Sequence, residues 1–148
     1  MKSFQFRLQR VLEWRALQLR REEEKLSTIQ NQLAEVLHRD QALEVEQLNA
    51  EMKLLGQASV EGADFRALAA FQVRVRHERV ALHIERTKFE DLVAAQRKLL
   101  LKARKDCKIL ENLKERRAKA WVQMSDKEVE ETAAESYISS WVRSIAER

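Results

Sequence analysis

The sequence has 148 residues but no proline, only two glycines and one cysteine. Because proline and glycine end helices and form tight turns, their scarcity argues against many short elements joined by loops. The single cysteine, Cys107, excludes an intramolecular disulfide and fits a reducing compartment. No apolar run approaches the roughly 18–20 residues of a membrane-spanning helix, and no secretory signal opens the chain. These absences predict a cytoplasmic protein.

The residues that are present favour helices. Charged residues make up 35% of the chain and hydrophobic residues 45%. Most are good helix formers, namely Glu, Gln, Lys, Arg, Ala and Leu. This composition is typical of long helices or a coiled coil rather than of a layered globular core.

Two series of heptad positions run through the chain, and each would form the buried seam of a coiled coil. The first runs from Leu8 to Leu54, with ten of fourteen positions apolar. The second runs from Phe65 to Lys114, with ten of fifteen apolar. Between them lies the segment GQASVEG, residues 56–62, in which Gly56 is expected to end the first helix in a left-handed conformation. Two long helices joined by so short a loop must run antiparallel.

The two series pair in one register, in which the numbers of facing residues sum to 118 or 119. Asp40 then meets Arg79, Gln47 meets Gln72, Glu22 meets Gln96, Leu54 meets Phe65, and Trp121 overhangs the first helix. Polar residues in a seam weaken it but fix its register. The predicted fold class is all-α, a long antiparallel two-helix coiled-coil hairpin with an overhanging C-terminal helical segment. We predict that the protein is monomeric and forms a single elongated domain over 1–148. Its segments are helix one at about 4–55, a tip loop at about 56–63, helix two at about 64–122 and a C-terminal helical segment at about 126–147.

The segment SDKE, residues 125–128, has the pattern of a capping box, so we expect a further helix to begin there. Val129 and Ile145 bound an apolar face with a repeat of four in that helix. In the heptad pattern Phe6, Trp14 and Leu17 lie outside the seam, at the end where the termini meet. Either the C-terminal helix folds back over them or another protein covers them.

A second apolar stripe lies on the outer face of helix two, formed by Val73, His77, Val80 and Ile84 at spacings of four, three and four. Such a stripe is either chance in a valine-rich helix, a dimer contact or a groove for a partner.

No catalytic constellation is found. The three histidines, His38, His77 and His83, are not paired at helical spacing, which disfavours a metal site. Cys107 lies in the predicted seam without a neighbouring histidine. No glycine-rich phosphate loop is present. We predict a protein that is not an enzyme and uses no cofactor or metal.

Basic residues are concentrated between Arg97 and Lys119, a segment that contains ten basic residues and three acidic ones. In the absence of a nucleic-acid-binding motif, we favour a solvated face or a contact with an acidic protein over nucleic acid.

The opening segment FQFRLQRVLEWR, which includes Phe4, Phe6, Leu8 and Arg15, and the segment LENLKERR, residues 110–117, resemble the FliJ family of flagellar type III export. The resemblance covers nearly the whole chain, although the tail ESYISSWVRSIAER departs from any family pattern. It implies a stalk-like coiled coil at the inner face of the cell membrane that serves flagellum biogenesis and motility. The implied partners are a hexameric export ATPase, a membrane-embedded export gate and export chaperones.

On this interpretation the terminal end meets the ATPase ring through Phe4, Phe6, Arg7, Arg10, Trp14, Arg15, Arg116 and Arg117. The stripe of Val73, His77, Val80 and Ile84 is the candidate contact for the gate, assigned from its geometry. Three alternatives stay open: the related stalk of an injectisome, a coiled-coil protein associated with nucleic acid, and a generic scaffold or homodimer.

Overall fold

The computed structural model describes residues 3–146, which form two helices. Helix α1 spans Gln9–Leu55 and helix α2 spans Gly62–Ala146, with 47 and 85 residues. No strand occurs among the described residues. The protein is therefore all-α, as predicted, and its two long helices form a hairpin.

The chain divides into two compact units, which are described separately. The tip unit comprises residues 20–102 and so contains the connection between the helices. The terminal unit comprises residues 3–19 and 103–146 within the described part of the chain.

The core of the tip unit is the predicted seam between α1 and α2. Its buried apolar residues all belong to the two heptad series, and Val75 is completely buried. Burying a side chain of this kind contributes about 1.5–3 kcal/mol to folding. The buried members of this core are Val36, Leu54, Val75, Leu82, Val93 and Leu100.

Polar pairs within the seam confirm the predicted register. Arg79 donates two hydrogen bonds to Asp40, of 2.8 and 3.3 Å. This interaction lowers the pKa of Asp40 and raises that of Arg79, since each charge favours the ionised form of the other. Gln47 and Gln72, which were predicted to face each other, both donate to one carboxylate oxygen of Glu51, at 3.2 and 3.0 Å.

A third polar layer, of Glu22 and Gln96, also lies where it was predicted. The side-chain amide of Gln96 donates to the carboxylate of Glu22 and to its backbone carbonyl. Hydrogen bonds from Lys25 and, second, from Gln96 lower the pKa of Glu22. The buried amide of Gln96 thereby keeps a partner, which removes the cost of burying it unpaired.

The connection between the helices corrects three predictions. Gly56 does not adopt a left-handed conformation, and its N–H donates to the carbonyl of Met52 at 3.0 Å in an ordinary helical turn. Helix α2 begins at Gly62, earlier than the start predicted at about residue 64. Asp64 caps it by accepting a hydrogen bond from the N–H of Glu61 at 3.0 Å. Phe65, expected in the seam opposite Leu54, is 59% exposed, since it lies in the first turn of α2 at the end of the hairpin.

The start of the chain also differs from the prediction. Helix α1 begins at Gln9 rather than at residue 4, after a turn in which the N–H of Gln9 donates to the carbonyl of Phe6 at 3.0 Å. Residues 3–6 are therefore not helical, and the heptad pattern does not determine where their side chains point. Phe6, predicted to lie outside the seam, is 9% exposed and belongs to the core.

The C-terminal segment is not a separate helix. Helix α2 continues without interruption through residues 125–128, where a capping box was predicted to begin a new helix. Neither glycine nor proline occurs between residues 122 and 128, so the backbone hydrogen bonds of the helix are not broken. The predicted end at residue 147 lies outside the described residues.

Neither helix, over the part of the chain that the structure describes, combines the length and apolar character needed to cross a membrane.

Candidate functional site

The first candidate surface, here called the terminal surface, comprises the aromatic and basic residues predicted to meet a partner in the terminal unit. Its aromatic part is held by a ring contact that the sequence did not predict. The ring of Phe4 packs against the ring of Trp121, with centroids 6.3 Å apart and planes inclined by 52°. This geometry is common for aromatic pairs and stabilises them beyond simple burial. Trp121, expected to overhang α1, is thus covered in part by the segment that precedes α1.

Arg15 links the two helices of the terminal unit. Its guanidinium donates to the carboxylate of Asp106 at 3.1 Å and lies 5.0 Å from the centre of the Trp14 ring. A cation over an indole face is attractive. Arg15 therefore contacts Trp14 on its own helix and Asp106 on α2, through side chains that stay partly exposed.

Trp14 is 51% exposed, and its neighbours Val11 and Leu17 are exposed as well. The C-terminal part of α2 does not cover it, since the apolar side chains from Val129 to Ile145 are themselves exposed. Of the two sequence-based explanations for Trp14, the fold-back of the C-terminal segment is therefore wrong for the described residues. Coverage by a partner stays a prediction.

The remaining basic residues of the terminal surface are Arg7, Arg10, Arg116 and Arg117. All four are exposed and belong to the same unit as Trp14. The structure thus combines a half-exposed indole with exposed guanidinium groups, and Trp and Arg are both enriched where protein interfaces are strongest. Phe6 does not belong to this exposed set, because its ring is in the core.

The second candidate surface, here called the outer stripe, lies in the tip unit. Val73, His77, Val80 and Ile84 are all exposed and follow one face of α2. They line a shallow groove of about 560 Å³ together with Arg76 and Ala81. An adjacent groove of about 450 Å³ shares Val80 and Ile84 and extends to Val36 and Leu37 on α1. The stripe is therefore continuous with an apolar furrow between the two helices.

Arginines supply the positive charge around these grooves. Their linings include Arg76 and Arg86, of which Arg86 pairs with Glu90 at 2.7 Å, together with the imidazoles of His77 and His83. The carboxylate in the lining, Asp40, is already paired with Arg79. A groove with an apolar floor and a cationic border is complementary to an apolar segment that carries carboxylates.

Two observations bear on metal binding and on thiol chemistry. No group of three or more His, Cys, Asp or Glu side chains in residues 3–146 is arranged to hold a metal ion. Cys107 is buried in the seam, where burial, and second the nearby carboxylate of Glu111, raise the pKa of its thiol. A raised pKa disfavours the thiolate that a nucleophile requires.

Sequence reasoning missed three residues that shape these surfaces. Trp121 and Asp106 hold Phe4 and Arg15, and Leu37 contributes to the floor of the furrow. Asp106 could have been found, because it lies one helical turn from Ala103, the seam position opposite Arg15. Trp121 could not, because its partner precedes α1 and follows no helical periodicity.

Comparison with protein-family models, with curated proteins and with solved structures finds no match for this chain. The case for a function therefore depends on the two surfaces and on the sequence pattern that led to them.

Proposed function

We propose that this protein is a non-enzymatic stalk or adaptor of a flagellar type III export apparatus. It would link a hexameric export ATPase to a membrane-embedded export gate and to export chaperones. The observation that carries the proposal is the terminal surface, where the FliJ-like N-terminal segment presents a half-exposed indole and exposed arginines. A two-helix seam with fixed register supports it, because a linker between two partners must hold its shape.

The ATPase ring would bind the terminal surface. Trp14 is half exposed beside the Arg15 guanidinium, so a partner that covers its ring would remove apolar surface from water. The exposed Arg7, Arg10 and Arg116 would surround this anchor and favour an acidic pore lining.

The export gate would bind the outer stripe. Val73, Val80 and Ile84 are apolar side chains left exposed on a helix that already buries another face in the seam. Arg76, which lines both grooves, would favour a segment that carries a carboxylate. Placing these partners together puts the protein in the cytoplasm, peripheral to the inner face of the cell membrane.

The proposal is tested by Trp14→Ala, measured as affinity for purified export ATPase hexamer by titration calorimetry. Truncating a buried interface Trp costs about 2 kcal/mol or more, so affinity should fall about thirtyfold. Thermal melting should hardly change, because Trp14 is outside the seam. Leu48→Ala, at an exposed position on α1 in the tip unit, is the control and should bind like the wild type. Unchanged affinity in Trp14→Ala would contradict the ring contact.

A further inference from the structure

The exposed face of α2 in the terminal unit carries an ordered series of residues, of which only Arg116 belongs to the terminal surface. The series advances by alternate steps of three and four, with one additional step of four, so its members share one face of the helix. All but the half-buried Asn112 are exposed. The members are Lys105, Ile109, Asn112, Arg116, Lys119, Gln123, Asp126, Glu130, Ala134, Tyr137 and Trp141.

The charge of this part of α2 changes sign along its length. Residues 104–119 contain seven basic and three acidic residues, a net charge of +4. Residues 126–135 contain five acidic residues and one basic, a net charge of −4. The two blocks are equal and opposite, and Gln123 lies between them on the exposed face.

In contrast to the monomer expected from the sequence, we infer that two copies of this chain associate reversibly through this face, with their α2 helices antiparallel about a two-fold axis at Gln123. In that arrangement the numbers of facing residues sum to about 246. Arg116 of each copy faces Glu130 of the other, and Lys119 faces Asp126. A parallel arrangement would instead place like charges together, so charge selects the antiparallel one.

Apolar and aromatic contacts complete the same register. Ile109 faces Tyr137, and the ammonium group of Lys105 faces the indole of Trp141, a favourable cation–π pairing. Ile109, Tyr137 and Trp141 are exposed in the single chain, so pairing removes their apolar surface from water. Each contact occurs twice, as an isologous interface requires.

The ion pair that Lys119 already makes does not oppose this association. Lys119 binds Glu115 on its own helix at 2.7 Å, and both side chains are largely exposed. Such pairs are easily rearranged. Over residues 105–141 the paired helices would extend about 55 Å at about 1.5 Å per residue.

One consequence rests on the proposed function. Arg116 belongs both to the dimer face and to the terminal surface, so a dimer would hide part of the surface that meets the ATPase. The self-associated form would then be a resting state that is dissociated by the ring. The test below contains no ATPase, so its failure leaves the ring contact untouched.

The test measures self-association of the full chain by sedimentation equilibrium in low salt. Glu130→Arg places one arginine against each Arg116, so two repulsive pairs replace two ion pairs and the dimer should weaken at least about tenfold. Arg116→Glu should do the same, and the double variant Arg116→Glu, Glu130→Arg should recover dimerisation. Glu131→Arg, an exposed neighbour on another face with the same change in charge, is the control.

Cross-linking provides an independent measurement of the geometry. Gln123→Cys should form a disulfide between copies under copper–phenanthroline oxidation, whereas Thr132→Cys on another face should not. The wild type, whose Cys107 is buried, is the blank. A chain that is monomeric at all concentrations, a dimer equally sensitive to both glutamate reversals, or a double variant that does not recover would overturn the proposal.

Discussion

At the scale of single residues, Asp40 and Arg79 show how the seam combines charge with register. Their side chains are about one third exposed, so solvent screens the pair and its contribution is small. Its main consequence is to specify the register of the two helices, because a shift by one heptad would separate the two charges. The lowered pKa of Asp40 makes this contribution measurable as a dependence on pH.

The first prediction concerns Asp40→Asn. A carboxylate whose pKa is lower in the folded state stabilises folding above its unfolded pKa, near 3.8, and loses that contribution as pH falls through the folded value. Asp40→Asn should therefore lower the free energy of unfolding by about 0.5–1 kcal/mol at pH 7, and by less at pH 3. Urea denaturation followed by circular dichroism at both pH values measures this difference.

The control for this measurement is Asp91→Asn, at an exposed position on α2. It should leave the free energy of unfolding unchanged within about 0.5 kcal/mol at pH 7. If Asp40→Asn were equally destabilising at pH 7 and pH 3, the ion pair would not be the source of its effect.

A second prediction at this scale concerns the thiol of Cys107. Burial raises its pKa and removes it from solvent, so at pH 8 it should react with Ellman's reagent at least about tenfold more slowly than in urea. Glu111→Gln should accelerate the reaction only slightly, because burial is the larger cause of the raised pKa. Rapid labelling of the folded chain would show that this part of the seam is open.

At the scale of the helices, the continuity of α2 through residue 125 is the most consequential departure from the sequence-based prediction. Ser125 and Glu128 match a capping box, but such a box begins a helix only where the preceding backbone has left helical geometry. No proline or glycine forces that departure here. The sequence contains the capping-box motif, but the uninterrupted run of helix-forming residues around it keeps α2 continuous.

Ser125→Pro tests this continuity. Proline removes a backbone donor and clashes with the preceding turn, at a cost of about 3 kcal/mol or more within a helix. We expect helical content to fall and a protease-sensitive site to appear near Met124, whereas Ser125→Ala should show neither change. The seam should melt as in the wild type, because residues 126–143 are exposed and contribute little to it. Unchanged proteolysis in Ser125→Pro would mean that α2 is already interrupted there.

The heptad series predicted most of the core because one periodicity, applied to two helices, decides which side chains are buried. Val36, Val75 and Cys107 are buried as expected. The prediction failed where helical geometry ends: at Phe6, which precedes α1, and at Phe65, in the first turn of α2. Sequence periodicity carries no information about a side chain whose backbone is not helical, or whose neighbours lie beyond the end of a helix.

At the scale of the whole molecule, the two candidate surfaces lie in different units, so they can be tested separately. The terminal surface depends on Trp14 and Arg15, and the outer stripe on Val80 and its neighbours. Both surfaces were identified in outline from the sequence. Their environment was not, because the contacts with Asp106 and Trp121 and the furrow beside Leu37 arise from packing between helices.

The last prediction separates the two surfaces. Val80→Asp places a carboxylate in the outer stripe, where an acidic partner would be repelled and an apolar contact is lost, so affinity for the export gate should fall at least about tenfold. Because Val80 is exposed in the free protein, the free energy of unfolding should change by no more than about 0.5 kcal/mol. Val45→Asp, an exposed valine on α1 outside both grooves, is the matched control.

Titration with the soluble part of the gate and with the ATPase should show opposite patterns: Val80→Asp loses the gate and keeps the ring, and Trp14→Ala loses the ring and keeps the gate. If one variant weakened both interactions equally, the two surfaces would not be separate sites, and a linker that binds a different partner through each unit would be the wrong description of this chain.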